Sequence, residues 1–378
     1  MKYMNQLTWF CVLIAVAGFA ACKQSNGTTT ARKDVIPAGD TVMSCTSNIP
    51  SRFAVNASSD SIVASGNSSY DGMVKIPGGD FLMGSADKEG RPDEYPQHAV
   101  HVDGFYMDAT EVTNAMFAEF VKATGYKTTA ERTPDWEELK KQLPPGTPKP
   151  ADSLLVAASL VFTPPSQPIQ LNDVSQWWQW VKGADWKHPQ GPGSNIKGKD
   201  NLPVVQVSWD DGMAYAKWAG KRLPTEAEWE WAARAGLTNQ PFTWGAEPVN
   251  KGQSKANIWQ GHFPDHNTVT DGYARVSPVK TFAANAYGLY EIAGNVWEWC
   301  SDWYRADYYS QTSAKKSINP TGPTASYDPE EPSVPKRVVR GGSFLCHASY
   351  CSSYRVSARM KTSPDTGLEH TGFRCVKN

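Results

Sequence analysis

Long hydrophobic runs are missing from this chain of 378 residues. The one candidate, Thr8 to Ala21, is uncharged and mostly apolar but only 14 residues long. A helix that crosses a bilayer needs about 17–25, so no segment reads as a membrane span. An excess of either charge is missing too: 37 Lys and Arg face 38 Asp and Glu, for a formal net charge of −1. That balance excludes the basic footprint of a nucleic-acid-binding protein and a polybasic patch for an acidic membrane. No internal repeat is present.

The short apolar run has another reading. Lys2 gives it a charged start and small residues close it, the pattern of an export signal. It ends in "FAAC", which resembles the lipobox of bacterial lipoproteins although Phe19 is unusual at its first position. On this reading residues 1–21 are a lipoprotein signal peptide and Cys22 carries the lipid. The protein is then exported and anchored in a membrane through its N-terminus, facing the periplasm or the cell surface. Residues 22–70 are rich in Ser, Thr, Asn and Gly and read as a tether. Residues 71–378 show no linker and read as one domain.

What the domain has in quantity is tryptophan. Fifteen Trp with 30 Gly and 27 Pro point to a loop-rich fold whose core is held by large aromatics. Helical signals are few. "TNAMFAEFVKATG" sets Met116 and Phe117 at helical spacing from Phe120 and Val121 and stops at Gly125. "SWDDGMAYAKWAG" opens with Ser208 as an N-cap and ends at Gly220. "TEAEWEWAARAG" sets Thr225 and Glu228 in capping-box spacing, with Gly236 past its end. Short strand-like runs such as "VKIPGGDFLMG", "HAVHVDGFYMD" and "RVVRGGSF" alternate with turn residues. The Pro-rich stretch 132–170 reads as a surface insertion, and His98 and His101 as solvated strand residues. The class is α+β, with few helices, short strands and much irregular structure.

Of seven cysteines, Cys11 lies in the signal and Cys22 in the lipobox. The remaining five, Cys45, Cys300, Cys346, Cys351 and Cys375, are an odd number, so an oxidising compartment leaves at least one thiol outside a disulfide. Cys346 and Cys351 stand five residues apart in "CHASYC". Two sulfurs at that spacing suit a disulfide or a soft metal such as monovalent copper. Zinc or an iron–sulfur cluster would want four protein ligands, and no nearby C-x-x-C supplies them.

Eight ordered stretches give the chain a likeness. "GGDFLMGS", "FYMDATEVTN", "KGADWKHPQGP", "PVVQVSWDDGMAYAKWAGKRLPTEAEWEWAARAG", "ANIWQGHFP", "YGLYEIAGNVWEWCSDWY", "RVVRGGSF" and "GFRC" follow one another through about residues 71–378. Together they resemble the sulfatase-modifying-factor family, whose formylglycine-generating-enzyme fold is a variant of the C-type lectin fold. The family includes formylglycine-generating enzymes, iron-dependent sulfoxide synthases and non-catalytic lipoproteins. The enzymes carry two cysteines as C-H-x-S-Y-C, which residues 346–351 match throughout.

The resemblance implies that Cys346 and Cys351 bind Cu(I) together with the cysteine of a C-x-P-S-R motif in an unfolded sulfatase. Molecular oxygen is then the co-substrate; the Cβ–H bond breaks, and hydrolysis of a thioaldehyde leaves Cα-formylglycine. It further implies that Ser343 lies near the reacting sulfur and that His347 tunes a thiolate or an oxygen species. Trp297 is expected to wall the substrate cleft. His370 stands where the family carries an asparagine that contacts substrate. Two calcium sites carry over, one at Asn257, Ile258, Asp271 and Tyr273, the other at Glu291, Gly294, Val296 and Glu298. Some relatives pair the "GFRC" cysteine with one in the helix that here has Ala216, which leaves Cys375 either paired with Cys300 or a buried thiol. Asn48-Ile49-Pro50-Ser51-Arg52 matches the sulfatase motif with Asn at the cysteine position and is a candidate pseudosubstrate. The expected protein is a monomer that meets no nucleic acid. The other reading is a non-catalytic lectin-like envelope lipoprotein that binds a peptide, glycan or protein partner. A sulfoxide synthase would need a histidine-rich helical domain, and seven His do not supply one.

Overall fold

The computed structural model describes residues 69–378, apart from 142 and 144. The signal, residues 22–68 of the tether, Cys22, Cys45 and the Asn48–Arg52 segment lie outside the described residues.

Four strands open the fold: β1 (Met73–Ile76), β2 (Gly79–Met83), β3 (His98–Val102) and β4 (Phe105–Asp108). Helices α1 (Asn114–Thr124) and α2 (Trp136–Lys140) follow, then the hairpin of β5 (Ala158–Phe162) and β6 (Trp178–Lys182). Helices α3 (Trp209–Trp218) and α4 (Glu226–Arg234) precede a two-residue-per-strand hairpin of β7 (Gly261–His262) and β8 (His266–Asn267). The C-terminal third contains β9 (Trp297–Trp303), α5 (Tyr308–Thr312), β10 (Ser317–Ile318), β11 (Arg337–Arg340), β12 (Arg359–Thr362), β13 (Thr371–Gly372) and β14 (Val376–Lys377). Three sheets order as β1-β4-β14, β10-β3-β2 and β12-β11-β9-β13.

The helices begin where side chains satisfy their first N–H groups. Ser208 Oγ accepts from the N–H of Asp211 at 3.1 Å while Asp211 accepts from that of Ser208 at 2.8 Å. Thr225 and Glu228 make the same reciprocal pair, at 3.1 and 2.8 Å. The end of α4 departs from expectation: Ala235 itself takes the left-handed conformation, at φ 47°, one residue before Gly236. Phe117 and Phe120, on the apolar face of α1, enter a core cluster with Tyr215, Trp297, Trp299, Cys346 and Cys351. Eight tryptophans among the described residues are buried, so large rings do fill the core.

A buried charge network holds α4 against the central sheet. Arg340 meets Glu226 at 2.8 Å and Glu230 at 2.6 Å, and Arg359 forks onto both oxygens of Glu226 at 2.8 Å. These groups tolerate burial because each charge is paired and hydrogen-bonded. The network fixes the end of β11, from which the chain turns into the site.

Two expectations are corrected. The Pro-rich stretch 132–170 is not wholly a surface insertion, since β5 within it is buried along its whole length. Its run Ala-Ser-Leu-Val-Phe supplies the β-type residues that let it pair with β6 and pack on Trp259 and Phe263. His98 is not solvated: it is buried with its ring 4.6 Å from that of Tyr309, and burial lowers its pKa. His101 remains at the surface between Asp80 and Asp103.

Candidate active site

The chain leaves β11 through Gly341 and Gly342, both at positive φ, 92° and 76°. A Cβ on Gly342 would lie 2.9 Å from the backbone nitrogen of Tyr354 and one on Gly341 3.1 Å from the Trp229 ring. Only glycine gives both the handedness and the close approach. The segment 294–297 straps this turn in place: the Gly294 N–H donates to Gly341 O at 2.8 Å and that of Phe344 to Asn295 O at 2.9 Å.

Ser343 is buried just past the turn. Its N–H points at Cys346 Sγ, 3.4 Å away, and its carbonyl accepts from the Cys346 N–H at 2.9 Å. An N–H aimed at sulfur favours the thiolate. The His347 carbonyl accepts from the N–H groups of Tyr350 and Cys351, folding the loop so that the two cysteine sulfurs lie 2.7 Å apart. Cys346 is 0% exposed and Cys351 4%.

His347 is half-buried and its Nδ1 lies 2.7 Å from Ser349 Oγ. Burial lowers its pKa, and Cys351 and His262 are both within electrostatic reach. Trp297 is fully buried in the cluster that holds both cysteines, and its N–H donates to His370 O at 2.8 Å, aligning β9 with β13. The His370 ring turns to Trp178, 4.8 Å away, its Nε2 has no partner, and burial alone pushes its pKa down to about 3. The imidazole is therefore neutral. The structure thus gathers Ser343, Cys346, His347, Cys351 and Trp297 closely, and joins His370 to them through the backbone of Trp297.

Residues not singled out from the sequence also belong here. Tyr354 is buried, and its pKa is pushed up to about 12 by burial first and then by the two cysteines. Trp259 donates its backbone N–H to Cys346 O at 3.1 Å, and Phe263 stacks on Tyr350 at 4.8 Å. The crowding of aromatics about "CHASYCSSY" was the available signal. Cys300 and Cys375 are free buried thiols in different core clusters, and burial raises both pKa values well above the ordinary thiol range. The Cys300–Cys375 disulfide is not formed.

The calcium candidates form two groups. Asn257 is buried and its Oδ1 lacks a partner, while its Nδ2 donates to Arg275 O and Asn295 Oδ1. Asp271 accepts from the N–H groups of Ile258 and Tyr273 at 3.1 and 3.0 Å, and burial raises its pKa. In the second group Glu291 accepts from the N–H groups of Lys280 and Phe282. Arg374 forks onto both oxygens of Glu298, at 2.8 and 2.7 Å, and Trp229 Nε1 donates to one of them. Gly294 and Val296 complete the strap between these groups, with Gly294 at φ 78° against Asn257 O. Glu111, missed from the sequence, is fully buried with Oε2 unpartnered. Burial raises its pKa well above the carboxylate range, and Glu291 and Glu298 add to that rise while Arg374 opposes it. Among the described residues no three His, Cys, Asp or Glu side chains converge on a metal position.

Comparison with known sequences decides the relationship. Residues 59–378 match the model of the sulfatase-modifying factor enzyme 1-like domain. The chain belongs to that family. A formylglycine-generating enzyme of Thermomonospora curvata is 49% identical over 307 residues, 81% of this chain and 93% of its own length. The formylglycine-generating enzyme of Mus musculus is 47% identical, covering 80% of this chain and 74% of its own. An inactive Cα-formylglycine-generating enzyme 2 of Bos taurus is 39% identical, covering 82% and 89%. The solved structure of PvdO from Pseudomonas aeruginosa superposes with a TM-score of 0.51 at 25% identity, over 81% of this chain and 94% of that one. The α+β arrangement of few helices and short strands is the fold of this family. No helix among the described residues is long and apolar enough to cross a membrane.

Proposed function

We propose that this family member oxidises a cysteine in the C-x-P-S-R motif of unfolded sulfatases to Cα-formylglycine, with O2 as co-substrate. The observation that carries the reading is the buried Cys346–Cys351 pair, 2.7 Å between sulfurs, in a chain 49% identical to a protein of that name. The donor set fits monovalent copper: two soft sulfurs, an N–H directed at one of them, an aromatic surround and, among the described residues, no third His, Cys, Asp or Glu converging on the pair. Copper held by Cys346 and Cys351 would supply soft-metal binding of the substrate thiol and electron transfer to O2.

The chain's own groups prepare that chemistry. Ser343 N–H steadies charge on Cys346, and the Gly341-Gly342 turn holds the serine where it reaches the sulfur. Trp297 and Tyr354 exclude water from the pair. His370, at the position where the family carries an asparagine, is fully buried against Trp178 with Nε2 unpartnered.

Calcium fits both outer groups on different grounds. The unpartnered Asn257 Oδ1 and the half-buried Asp271 carboxylate suit a hard cation supported by the Ile258 and Tyr273 carbonyls. Glu111, Glu291 and Glu298 bring three carboxylates against the one guanidinium of Arg374, an imbalance that a divalent cation offsets. Since Arg374 holds Glu298, Glu111 and Glu291 are the freer ligands there, with the Gly294 and Val296 carbonyls.

The likeness of "FAAC" at Cys22 to a lipobox supports reading this activity as that of an exported, membrane-anchored protein. A substrate still unfolded after export would then present an extended cysteine segment to it. The test is to incubate the reduced protein with Cu(I), O2 and a C-x-P-S-R peptide and to follow the peptide by mass spectrometry. Conversion of the thiol to an aldehyde is expected; an unaltered peptide with copper bound would overturn the reading.

A further inference from the structure

Two of the seven histidines, His262 and His266, lie on the β7–β8 hairpin beside the loop that carries the cysteine pair. The β7–β8 hairpin is fastened to the site loop by the Trp259 N–H on Cys346 O and by the flat stack of Phe263 on Tyr350, 12° between planes. At its mouth His262 and His266 are direct cross-strand partners, which sets their Cβ atoms roughly 4.5–5.5 Å apart on one face. His347 follows Cys346 in sequence and lies within reach of both His262 and Cys351. The other four histidines are engaged elsewhere: His98 and His370 are buried, and His101 and His188 sit on carboxylates.

The rings are held differently. Asp265 accepts from Nδ1 of His262, the arrangement in which a carboxylate fixes an imidazole and frees Nε2 for metal binding. His347 Nδ1 instead accepts from the Ser349 N–H at 3.2 Å, so the neutral ring keeps its proton on Nε2. His262 is 62% exposed, whereas the sulfurs behind it are almost wholly covered. Imidazole binds monovalent copper less tightly than thiolate, so an ion arriving at the rim moves inward down an affinity gradient. No three such side chains among the described residues converge into a cage, which suits brief two-coordinate contact rather than residence.

We propose that His262 and His266 form an entry site through which monovalent copper passes to Cys346 and Cys351. This rests on the copper reading given above. The experiment is stopped-flow transfer of Cu(I) from a coloured chelator complex to the reduced protein, comparing wild type with the His262→Ala/His266→Ala variant. The expected result is an uptake rate lower by at least about tenfold, with one copper per chain at equilibrium in both. Equal rates would overturn the entry site and leave the copper reading standing. Absence of copper from both proteins at equilibrium would overturn that reading and the entry site with it. A second arm uses Cys346→Ser/Cys351→Ser with Ag(I) as a spectroscopically silent probe. Imidazole NMR shifts at His262 and His266 support the site, and unmoved resonances refute it.

Discussion

The Ser343 backbone N–H points at the sulfur of Cys346 from 3.4 Å, while the Cys346 N–H returns to the Ser343 carbonyl at 2.9 Å. The serine and the cysteine thus clasp each other through the main chain, and the sulfur's position depends on the turn before it rather than on side-chain packing alone. This makes the turn as testable as the thiols.

Serine at either Cys346 or Cys351 removes one of two soft ligands. Cu(I) titration should then show no tight equivalent, and formylglycine formation should fall by more than about a hundredfold, beyond what loss of a supporting contact costs. A variant with copper and turnover intact would exclude the pair as the metal centre.

Gly342→Ala forces a Cβ to 2.9 Å from the Tyr354 nitrogen in a left-handed conformation. The conformation alone costs about 1–2 kcal/mol. Gly72→Ala is the control, with φ 73° and nothing within 4 Å of the added carbon. Thermal melts should show both destabilised, Gly342→Ala more so, and only the latter should lose activity in assays run well below its melting temperature.

Calcium should raise the melting temperature and a chelator lower it, reversibly. Glu111→Gln removes the unpartnered carboxylate oxygen and should weaken calcium binding at the second group, read by calorimetry with Asn257→Ala marking the first. Unchanged affinity in Glu111→Gln would remove Glu111 from the ligand set.

Asp302 gives a pH signature. Its carboxyl is pushed up from 3.8 to about 7 by burial, with Glu226 beside it adding to the rise. Between those values the unfolded chain ionises this group and the folded one keeps it protonated, so its contribution to stability declines as pH rises and levels off above about 7. The total is of order 4 kcal/mol. Asp302→Asn should flatten that decline relative to wild type in denaturant melts from pH 4 to 8; parallel curves for the two proteins would show that Asp302 ionises normally.

Local signals were legible and distant ones were not. Ser208 and Thr225 mark their helix starts because capping is settled within four residues. The site loop was legible because Gly-Gly, Ser343 and both cysteines lie within eleven residues of one another. Glu111 stands in no periodic pattern; its burial beside Glu291 depends on packing nearly two hundred residues apart in the chain. Cys300 and Cys375 looked pairable by count alone, yet they enter different core clusters. The strand Ala158–Phe162 was obscured by its Pro-rich surroundings, and only its pairing with β6 brings it inside.

The strands β13 and β14, made after every other strand described, carry a temporal consequence. β13 pairs with Trp297 and Glu298, β14 pairs with Met107, and Phe373 and Cys375 between them are buried in the cluster that encloses the cysteine pair. A growing polypeptide that has reached residue 365 already holds both thiols and most of the cluster around them, but lacks its last two buried members. Closure of the core around Cys346 and Cys351 therefore waits on Phe373 and Cys375.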